Sequence, residues 1–385
     1  YSDSKDADIK RENANIDGDT AMGTMLKYGS EGAKYYVDNY VLPKEMAKAH
    51  IGGDIHIHDK DFYMLTETCC QIDLIKLFKD GFCTGHGYLR APQSIMSYAS
   101  LACIAIQANQ NEMHGGQSVP NFDYSMAPGV AKTYVKEYYD ALAQSLAVRL
   151  GIGYADACAI AKNIKKELPA PTLSNADAFE AELCKWFTQA DDKFGLDGKV
   201  LVAAHKNAAE TALASTDKAT FQAMEALVHN LNTMNSRAGA QVPFSSVNYG
   251  TDTSPEGRMV MKNLLLATDN GLGNGETPIF PVQIFKVKEG INYNPEDPNY
   301  DLFRLAIKTS AKRLFPNFSF IDAPFNLEYY KPGDYNTEVA YMGCRTRVMA
   351  NTYDPTKAVT CGRGNLSFTS INLPRLGIRA NRDID

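Results

Sequence analysis

The spacing of apolar residues predicts several helices in the first two thirds of the chain. Residues 92–112 form a long, mostly apolar stretch, and residues 131–150 carry apolar side chains three and four positions apart. Residues 155–235 are rich in Ala, Lys and Glu, a composition that favours two or three further helices. Shorter helical segments are expected within 20–50 and at 72–78.

The last third changes to short segments that are typical of strands. Residues 278–285 are almost continuously apolar, as in a strand covered on both faces. Residues 318–321 and 366–373 are further candidates, and 303–314 mark one face of an intervening helix. An earlier run, 54–59, alternates between apolar and polar residues. Strand, helix and strand at this spacing predict right-handed βαβ units with parallel strands, so we expect an α/β fold.

The charge balance argues against a nucleic-acid-binding protein. Lys and Arg total 39, Asp and Glu total 45, and the net charge is −6, whereas nucleic-acid binding needs a basic surface. No run of about 18 uncharged apolar residues occurs, so no transmembrane helix is predicted. The chain begins without an initiator methionine or a signal-peptide core. We therefore expect an internal fragment of a longer cytoplasmic protein, without membrane contact.

The cysteine pattern favours reduced thiols. Eight cysteines are present and none belongs to a Cys-x-x-Cys pair, so no structural zinc ribbon is encoded. Without a secretion signal, disulfides are not expected. Cys103, Cys158 and Cys184 lie in helical stretches, where we expect them to be small core residues.

Three clusters carry residues that could do chemistry. They are the run 54–59 with Cys69-Cys70 downstream, the segment 114–117, and the segment 341–347 followed by 361–365. Each alone has a plain explanation. The two histidines of the first cluster could bind a metal, but no third ligand is defined, and hydrogen-bonded histidines are the simpler interpretation. Gly115-Gly116 could only end a helix, and Cys344 could be an ordinary loop cysteine.

Taken together and in this order, the clusters resemble one family, the anaerobic (class III) ribonucleoside-triphosphate reductases, which are glycyl radical enzymes. The most specific part is Met342-Gly343-Cys344-Arg345, followed by Gly362-Arg363-Gly364-Asn365-Leu366. Other matching segments are 12–15, 54–59, 68–70, 115–116, 277–281 and 372–375. The resemblance spans nearly the whole chain and is weakest from about 155 to 230.

The resemblance implies a ten-stranded α/β barrel, made of two antiparallel halves with five parallel strands each and a central finger loop. On this basis residues 1–12 are a linker from an absent N-terminal ATP-cone, and residues 13–385 are the N-terminal and central part of the catalytic barrel. The C-terminal region with the glycyl radical and a zinc site is expected outside this chain. No metal is therefore expected in this chain.

The resemblance also implies the roles of the catalytic residues. Cys344, at the tip of the finger loop, would become the thiyl radical that removes a hydrogen atom from C3′ of the ribose. Cys69 would deliver hydrogen to C2′ from the opposite face, with Cys70 as its alternative. Asn365 would bind the ribose hydroxyls, since an amide offers both donor and acceptor. His56 would assist the loss of water.

Binding roles follow from the same resemblance. Arg345 and the backbone around Gly364 would hold the triphosphate, and His58 would support His56. Gln93 and Lys136 would contact nucleotide effectors.

Met342 resembles the methionine of family members that use formate as reductant, in which its sulfur would stabilise oxidised Cys69. Simple core packing of Met342 remains the alternative.

The function implied is the reduction of ribonucleoside triphosphates to 2′-deoxyribonucleoside triphosphates under anaerobic conditions, for DNA precursor synthesis. The expected partners are ATP, dATP and other dNTP effectors, a radical-SAM activating enzyme, and a second copy of the chain in a homodimer or higher oligomer. Two alternatives stay open: another glycyl radical enzyme of the formate-lyase type, and a non-catalytic nucleotide-sensing module.

Overall fold

Helices make up most of the computed structural model, which describes residues 20–62, 67–194, 197–235, 241–343, 346–351, 353–357 and 359–381. In chain order they are α1 (Ala21–Tyr36), α2 (Lys44–Ile51), α3 (Leu74–Asp80), α4 (Ile95–Asn109), α5 (Phe122–Leu150), α6 (Tyr154–Glu167), α7 (Ala176–Phe194), α8 (Gly198–Thr233), α9 (Pro255–Asn270), α10 (Tyr300–Arg313), α11 (Pro324–Leu327) and α12 (Leu373–Ala380). Most of the helices expected from apolar spacing are present, because a buried stripe every three or four residues is a local signal.

The strands are short. They are β1 (Ile55–Ile57), β2 (Cys69–Gln71), β3 (Phe82–Cys83), β4 (Tyr88–Leu89), β5 (Gln117–Val119), β6 (Ser245–Tyr249), β7 (Val282–Val287), β8 (Asn317–Phe320), β9 (Ala340–Met342), β10 (Thr346–Val348), β11 (Gly364–Asn365) and β12 (Thr369–Ile371). Six of them form one sheet in the order β11-β2-β5-β6-β7-β8. Neighbours from β2 to β8 are parallel, and β11 is antiparallel to β2. The pairs β1-β12, β3-β4 and β9-β10 are antiparallel ribbons.

The two faces of the sheet have different neighbours. One face packs on α4, α5, α8, α9 and α10 through the main hydrophobic core. On the other face, polar side chains of β5 and β6 bind the β9-β10 hairpin. Because successive strand residues point to opposite faces, β5 and β6 contribute one set of side chains to the helices and the other to the hairpin.

A second hydrophobic cluster lies outside the sheet. The end of α5 packs there with α6, α7 and the first half of α8 around Leu142, Leu146, Leu183 and Leu201. This is the Ala-rich part of the chain, where small side chains allow helices to approach closely.

Strand, helix and strand from β7 through α10 to β8 form the parallel βαβ unit expected from the sequence. Two of the strand boundaries predicted from the sequence were wrong. Residues 366–373 do not form one strand, because Leu373 begins α12 with Pro374 in its first turn, where proline needs no backbone donor. The apolar run from 278 contributes to the sheet only from Val282 onward.

The cysteine expectations were partly wrong. Cys103 is buried in α4 as predicted, but Cys158 is only half-buried and Cys184 is exposed, since α6 and α7 are surface helices. Across the described residues, no helix combines the length and apolar character needed to cross a membrane.

Candidate functional site

Cys69 and Asn365 are brought together by strand pairing. They are cross-strand partners in the antiparallel β2-β11 ladder, although they come from opposite ends of the chain. The backbone N–H of Gly116 donates to the Sγ of Cys69 over 3.4 Å. The Asn365 amide donates to the hydroxyl of Thr346, on β10, over 3.4 Å. The Cys69 thiol, the Asn365 amide and the β9-β10 hairpin therefore lie next to one another.

The approach of β5 to β2 requires glycine at position 115. Gly115 has φ +83°, and a Cβ there would lie 1.7 Å from the carbonyl oxygen of Thr68 and 3.3 Å from the Cys69 sulfur. Only a residue without a side chain allows this contact. The Gly115-Gly116 pair is therefore part of the wall beside Cys69 and does not simply end a helix.

Cys70 lies on the opposite side of β2. Its Sγ accepts a hydrogen bond from Asn109 of α4 over 3.1 Å, and Asn109 also donates to Gln117, the register partner of Cys70 on β5. Burial raises the pKa of Cys70 to about 12, and the Asn109 bond opposes this only in part. Cys70 is thus a protonated thiol facing the helices, whereas Cys69 faces the hairpin side.

The β9-β10 hairpin is anchored on β5 and β6. Ser118 donates to the carbonyl of Tyr341 over 2.6 Å, and Gly343 donates to Ser246 over 3.1 Å. A Cβ on Gly116 would lie 3.3 Å from the Cα of Gly343, so these two glycines are in contact. Met342 is buried on β9.

Cys344 and Arg345 lie outside the described residues. Their neighbours in the chain, Gly343 and Thr346, both belong to the site built around Cys69. Gly364 also belongs to this site, because it pairs with Cys70, and a Cβ there would lie 3.0 Å from the carbonyl oxygen of Cys69.

The two predicted histidines belong to a different sheet. His56 and His58 lie on and just after β1, which pairs with β12. Their rings are 4.6 Å apart, edge to face, and His58 hydrogen-bonds Ser370 over 2.8 Å. In the described part of the chain, no group of three or more His, Cys, Asp and Glu residues is arranged to hold a metal ion.

The predicted effector residues lie near each other on the surface. Lys132 of α5 donates to the carbonyl of Pro92, the residue before Gln93. Lys136 follows one turn later on α5 and is exposed, with Glu137 and Asp140 as its ion-pair partners. The start of α4 and this part of α5 therefore adjoin.

Sequence reasoning missed the polar residues beneath the hairpin. Ser118, Ser246 and Asn248 are fully buried on central strands and bind its backbone. Their signal was present as the alternation of Ser246 and Asn248 with Val247 and Tyr249, since polar residues repeating at every second position indicate a strand with one polar face.

A buried ion pair was missed as well. Lys286 of β7 and Glu338, two residues before β9, approach to 3.0 Å and are both almost fully buried. Thr251 donates to the same carboxylate over 2.8 Å. Burial raises the pKa of Glu338 above its usual value, and the Lys286 ammonium works against that rise. The pair ties the base of the hairpin to the sheet.

Comparison with known proteins identifies this α/β chain. A family model described as anaerobic ribonucleoside-triphosphate reductase matches residues 12–385. The chain therefore belongs to the anaerobic ribonucleoside-triphosphate reductase family.

Individual relatives agree in name and in coverage. The anaerobic ribonucleoside-triphosphate reductase of Escherichia coli K12 is 25% identical over 380 residues, which cover 98% of this chain and 44% of that protein. The phage T4 protein of the same name is 28% identical over 375 residues, covering 96% and 51%. The chain thus spans about half the length of these relatives.

Solved structures show the same fold. The anaerobic ribonucleotide reductase of Thermotoga maritima, in complex with dATP and CTP, superposes with a TM-score of 0.51 at 12% identity, over 94% of this chain and 50% of that one. A second anaerobic ribonucleotide reductase gives a TM-score of 0.53, also at 12% identity, over 94% of this chain and 48% of that one.

Proposed function

We propose that the protein is the N-terminal and central part of an enzyme that reduces ribonucleoside triphosphates to 2′-deoxyribonucleoside triphosphates by thiyl-radical chemistry. The observation that carries the proposal is the convergence of Cys69, Asn365 and Gly343 around Gly116. Gly343 immediately precedes Cys344, so the chain brings both thiol-bearing segments to one place. Membership in the anaerobic ribonucleoside-triphosphate reductase family supports a reductase as the class of enzyme.

Two thiols and an amide suit the reaction because each has a distinct task. The Cys344 thiyl takes a hydrogen atom from C3′, and the neighbouring 2′-hydroxyl then leaves as water, with His56 as the residue assisting proton transfer. Cys69 delivers a hydrogen atom to C2′, which leaves a 3′-ketone and one-electron-oxidised Cys69. The reductant then returns a hydrogen atom to Cys69 and adds one electron to the ketone, which takes up a proton. Cys344 finally returns its hydrogen atom to the C3′ radical formed in this way. Asn365 orients the ribose through its amide. A glycyl radical elsewhere in the longer enzyme would supply the unpaired electron that converts the Cys344 thiol to its thiyl form.

Formate is proposed as the reductant. One formate and one proton per ribonucleotide give one deoxyribonucleotide, carbon dioxide and water, which balances the two electrons required. The separation of Cys69 and Cys70 onto opposite faces of β2 supports formate, because no adjacent thiol on the Cys69 face of that strand is available to form a disulfide. In this proposal Met342 stabilises Cys69 when it has lost one electron.

The sheet is proposed to be the first part of the ten-stranded barrel. The parallel strands β2, β5, β6, β7 and β8 would be one half, and antiparallel β11 would begin the other. The β9-β10 hairpin lies on the face opposite the helices, which is where a finger loop would enter the barrel.

Nucleotide regulation is proposed at the start of α4 and the adjoining face of α5. Gln93 and Lys136 lie there, and the two segments are held together by the hydrogen bond from Lys132 to the carbonyl of Pro92. The Thermotoga maritima protein binds dATP and CTP in its crystal structure, and ATP, dATP and dNTP effectors are proposed for this one. The same helices, between residues 93 and 150, are proposed to join two copies into a homodimer.

The proposal is tested in the longer enzyme, activated anaerobically by its radical-SAM partner and given CTP with formate. Cys344→Ser should abolish dCTP formation while the glycyl radical signal in electron paramagnetic resonance stays intact. Cys83→Ser, on the exposed β3-β4 ribbon, is the matched control and should retain activity. Normal turnover in Cys344→Ser would refute the proposed chemistry.

A further inference from the structure

The β9 strand is held to β6 by the side chain of Asn248, which forms the two backbone hydrogen bonds that a neighbouring strand would otherwise form. The Oδ1 of Asn248 accepts from the N–H of Tyr341 over 2.8 Å, and its Nδ2 donates to the carbonyl of the same residue over 3.0 Å. Tyr341 is paired with Arg347 of β10 in the hairpin. Both backbone groups of one hairpin residue are therefore bound by one amide on the central sheet.

A second anchor joins the residue two positions before Asn248 on β6 to the residue two positions after Tyr341, directly beyond the end of β9. Ser246 accepts from the N–H of Gly343 over 3.1 Å. Ser246 and Asn248 share a face of β6 because side chains alternate along a strand. Two contacts with the same spacing on both strands define how far β9 reaches along the sheet.

Asn248 is an unusual residue for its position. It is fully buried in the middle of β6, where asparagine is disfavoured and an unpaired amide would be costly. Its Nδ2 also approaches the hydroxyl of Ser118 at 3.0 Å and the carbonyl of Val119 at 3.4 Å. Every polar atom of its side chain is thus engaged, and Ser118 binds the same Tyr341 carbonyl.

We propose that Asn248 is a positioning residue that sets the register of the β9-β10 hairpin and so the position of Gly343, the residue before Cys344 in the chain, relative to Cys69. The inference rests on the proposed function, in which Cys344 is the reacting thiol. A slip of one residue would move the hairpin tip by about 3.3 Å. Hydrogen transfer needs the reacting atoms about 3–3.5 Å apart, and a misplacement of about 1 Å can cost roughly a hundredfold in rate.

The test uses the activated longer enzyme with CTP and formate. Asn248→Ala should lower kcat for CTP reduction roughly ten-fold or more, since the register is no longer defined at Tyr341. KM for CTP and the yield of glycyl radical should stay unchanged, because Asn248 touches neither. Asn263→Ala is the matched control: Asn263 is equally buried, but on α9, and its amide binds Asp217 and the Met259 carbonyl.

A second pair of variants, which changes only serine hydroxyls, keeps the test decisive if Asn248→Ala does not fold. Ser246→Ala removes the acceptor for Gly343 and the long hydrogen bond of 3.4 Å from the Ser246 hydroxyl to the Gln117 carbonyl. It should lower kcat roughly three-fold or more at constant KM. Ser245→Ala, its neighbour on the opposite face of β6, whose hydroxyl has no hydrogen-bond partner among the described residues, should leave kcat unchanged. Unchanged kcat in folded, radical-bearing Asn248→Ala and Ser246→Ala would overturn the inference, as would an equal loss in the controls. Absence of CTP reduction in the wild-type enzyme would instead overturn the proposed function.

Discussion

The backbone N–H of Gly116 points at the sulfur of Cys69 from 3.4 Å, and the same glycine contacts Gly343 of the hairpin. A single residue therefore adjoins both of the segments that carry the proposed reactive thiols. Asn365 faces Cys69 across the β2-β11 ladder, so Cys69, Asn365 and Gly343 all lie close to Gly116. The predictions below test this arrangement.

The two adjacent cysteines should differ sharply in importance. Cys69→Ser should lower the rate of CTP reduction by about a thousandfold or more, because a hydroxyl is a far poorer hydrogen-atom donor than a thiol. Cys70→Ser should keep most of the activity, since a hydroxyl can still accept from Asn109. Steady-state kinetics on the activated enzyme, with glycyl radical content measured in parallel, decide this. Equal losses in both variants would contradict the assignment to Cys69.

Gly115 should not tolerate a methyl group. Gly115→Ala should destabilise the protein by more than about 3 kcal/mol, since the left-handed backbone costs about 1–2 kcal/mol and the new Cβ would collide with the Thr68 carbonyl. Gly85→Ala is the matched control, with φ +90° and open space around the Cβ, and should cost only the backbone strain. Chemical denaturation of both variants gives the comparison. Equal destabilisation would mean that β2 and β5 can move apart freely.

The reductant should be formate. Activated enzyme should form dCTP with formate alone and not with a thioredoxin system alone, because Cys70 faces away from Cys69. Met342→Leu, which conserves volume, should remove formate-dependent turnover while radical formation persists. Met261→Leu, equally buried on α9, should retain it. Activity with thioredoxin only would make Cys69 and Cys70 a redox pair and overturn this assignment.

Stability should depend on pH through Asp252. Burial, together with the nearby Asp123 carboxylate, raises the pKa of Asp252 to about 6. A raised folded-state pKa means that the stability due to protonated Asp252 is present at low pH and is lost as pH rises from about 4 through 6.

Asp252→Asn, which keeps the acceptor for the Ser254 N–H, should therefore be more stable than wild type at pH 7.5, by on the order of 2 kcal/mol. The advantage should shrink at pH 4.5. Thermal melts at both pH values check this, with the exposed Asp80→Asn as control. An advantage independent of pH would show that Asp252 ionises normally.

Much of the helical structure could be predicted from local pattern. The apolar spacing of α4, α5 and α10 and the β7-α10-β8 unit are each encoded in a continuous stretch of residues. The strands β2, β5 and β9 escaped prediction because three residues are too few to display alternation. The prediction of a single strand over residues 366–373 was wrong because apolar residues suit a short strand and a first helical turn equally well.

The sequence by itself determined which residues are candidates, since Cys69, Asn365 and Met342 lie in the motifs that resemble the anaerobic reductase family. Only the tertiary structure decided that Asn365 faces Cys69, that Cys70 faces Asn109, and that β6 holds the hairpin through Asn248. The physical reason is that strand pairing is a long-range contact. Which segments become neighbours, and which face each side chain takes, depend on how the whole sheet buries its apolar side against the helices and satisfies its polar side against the hairpin.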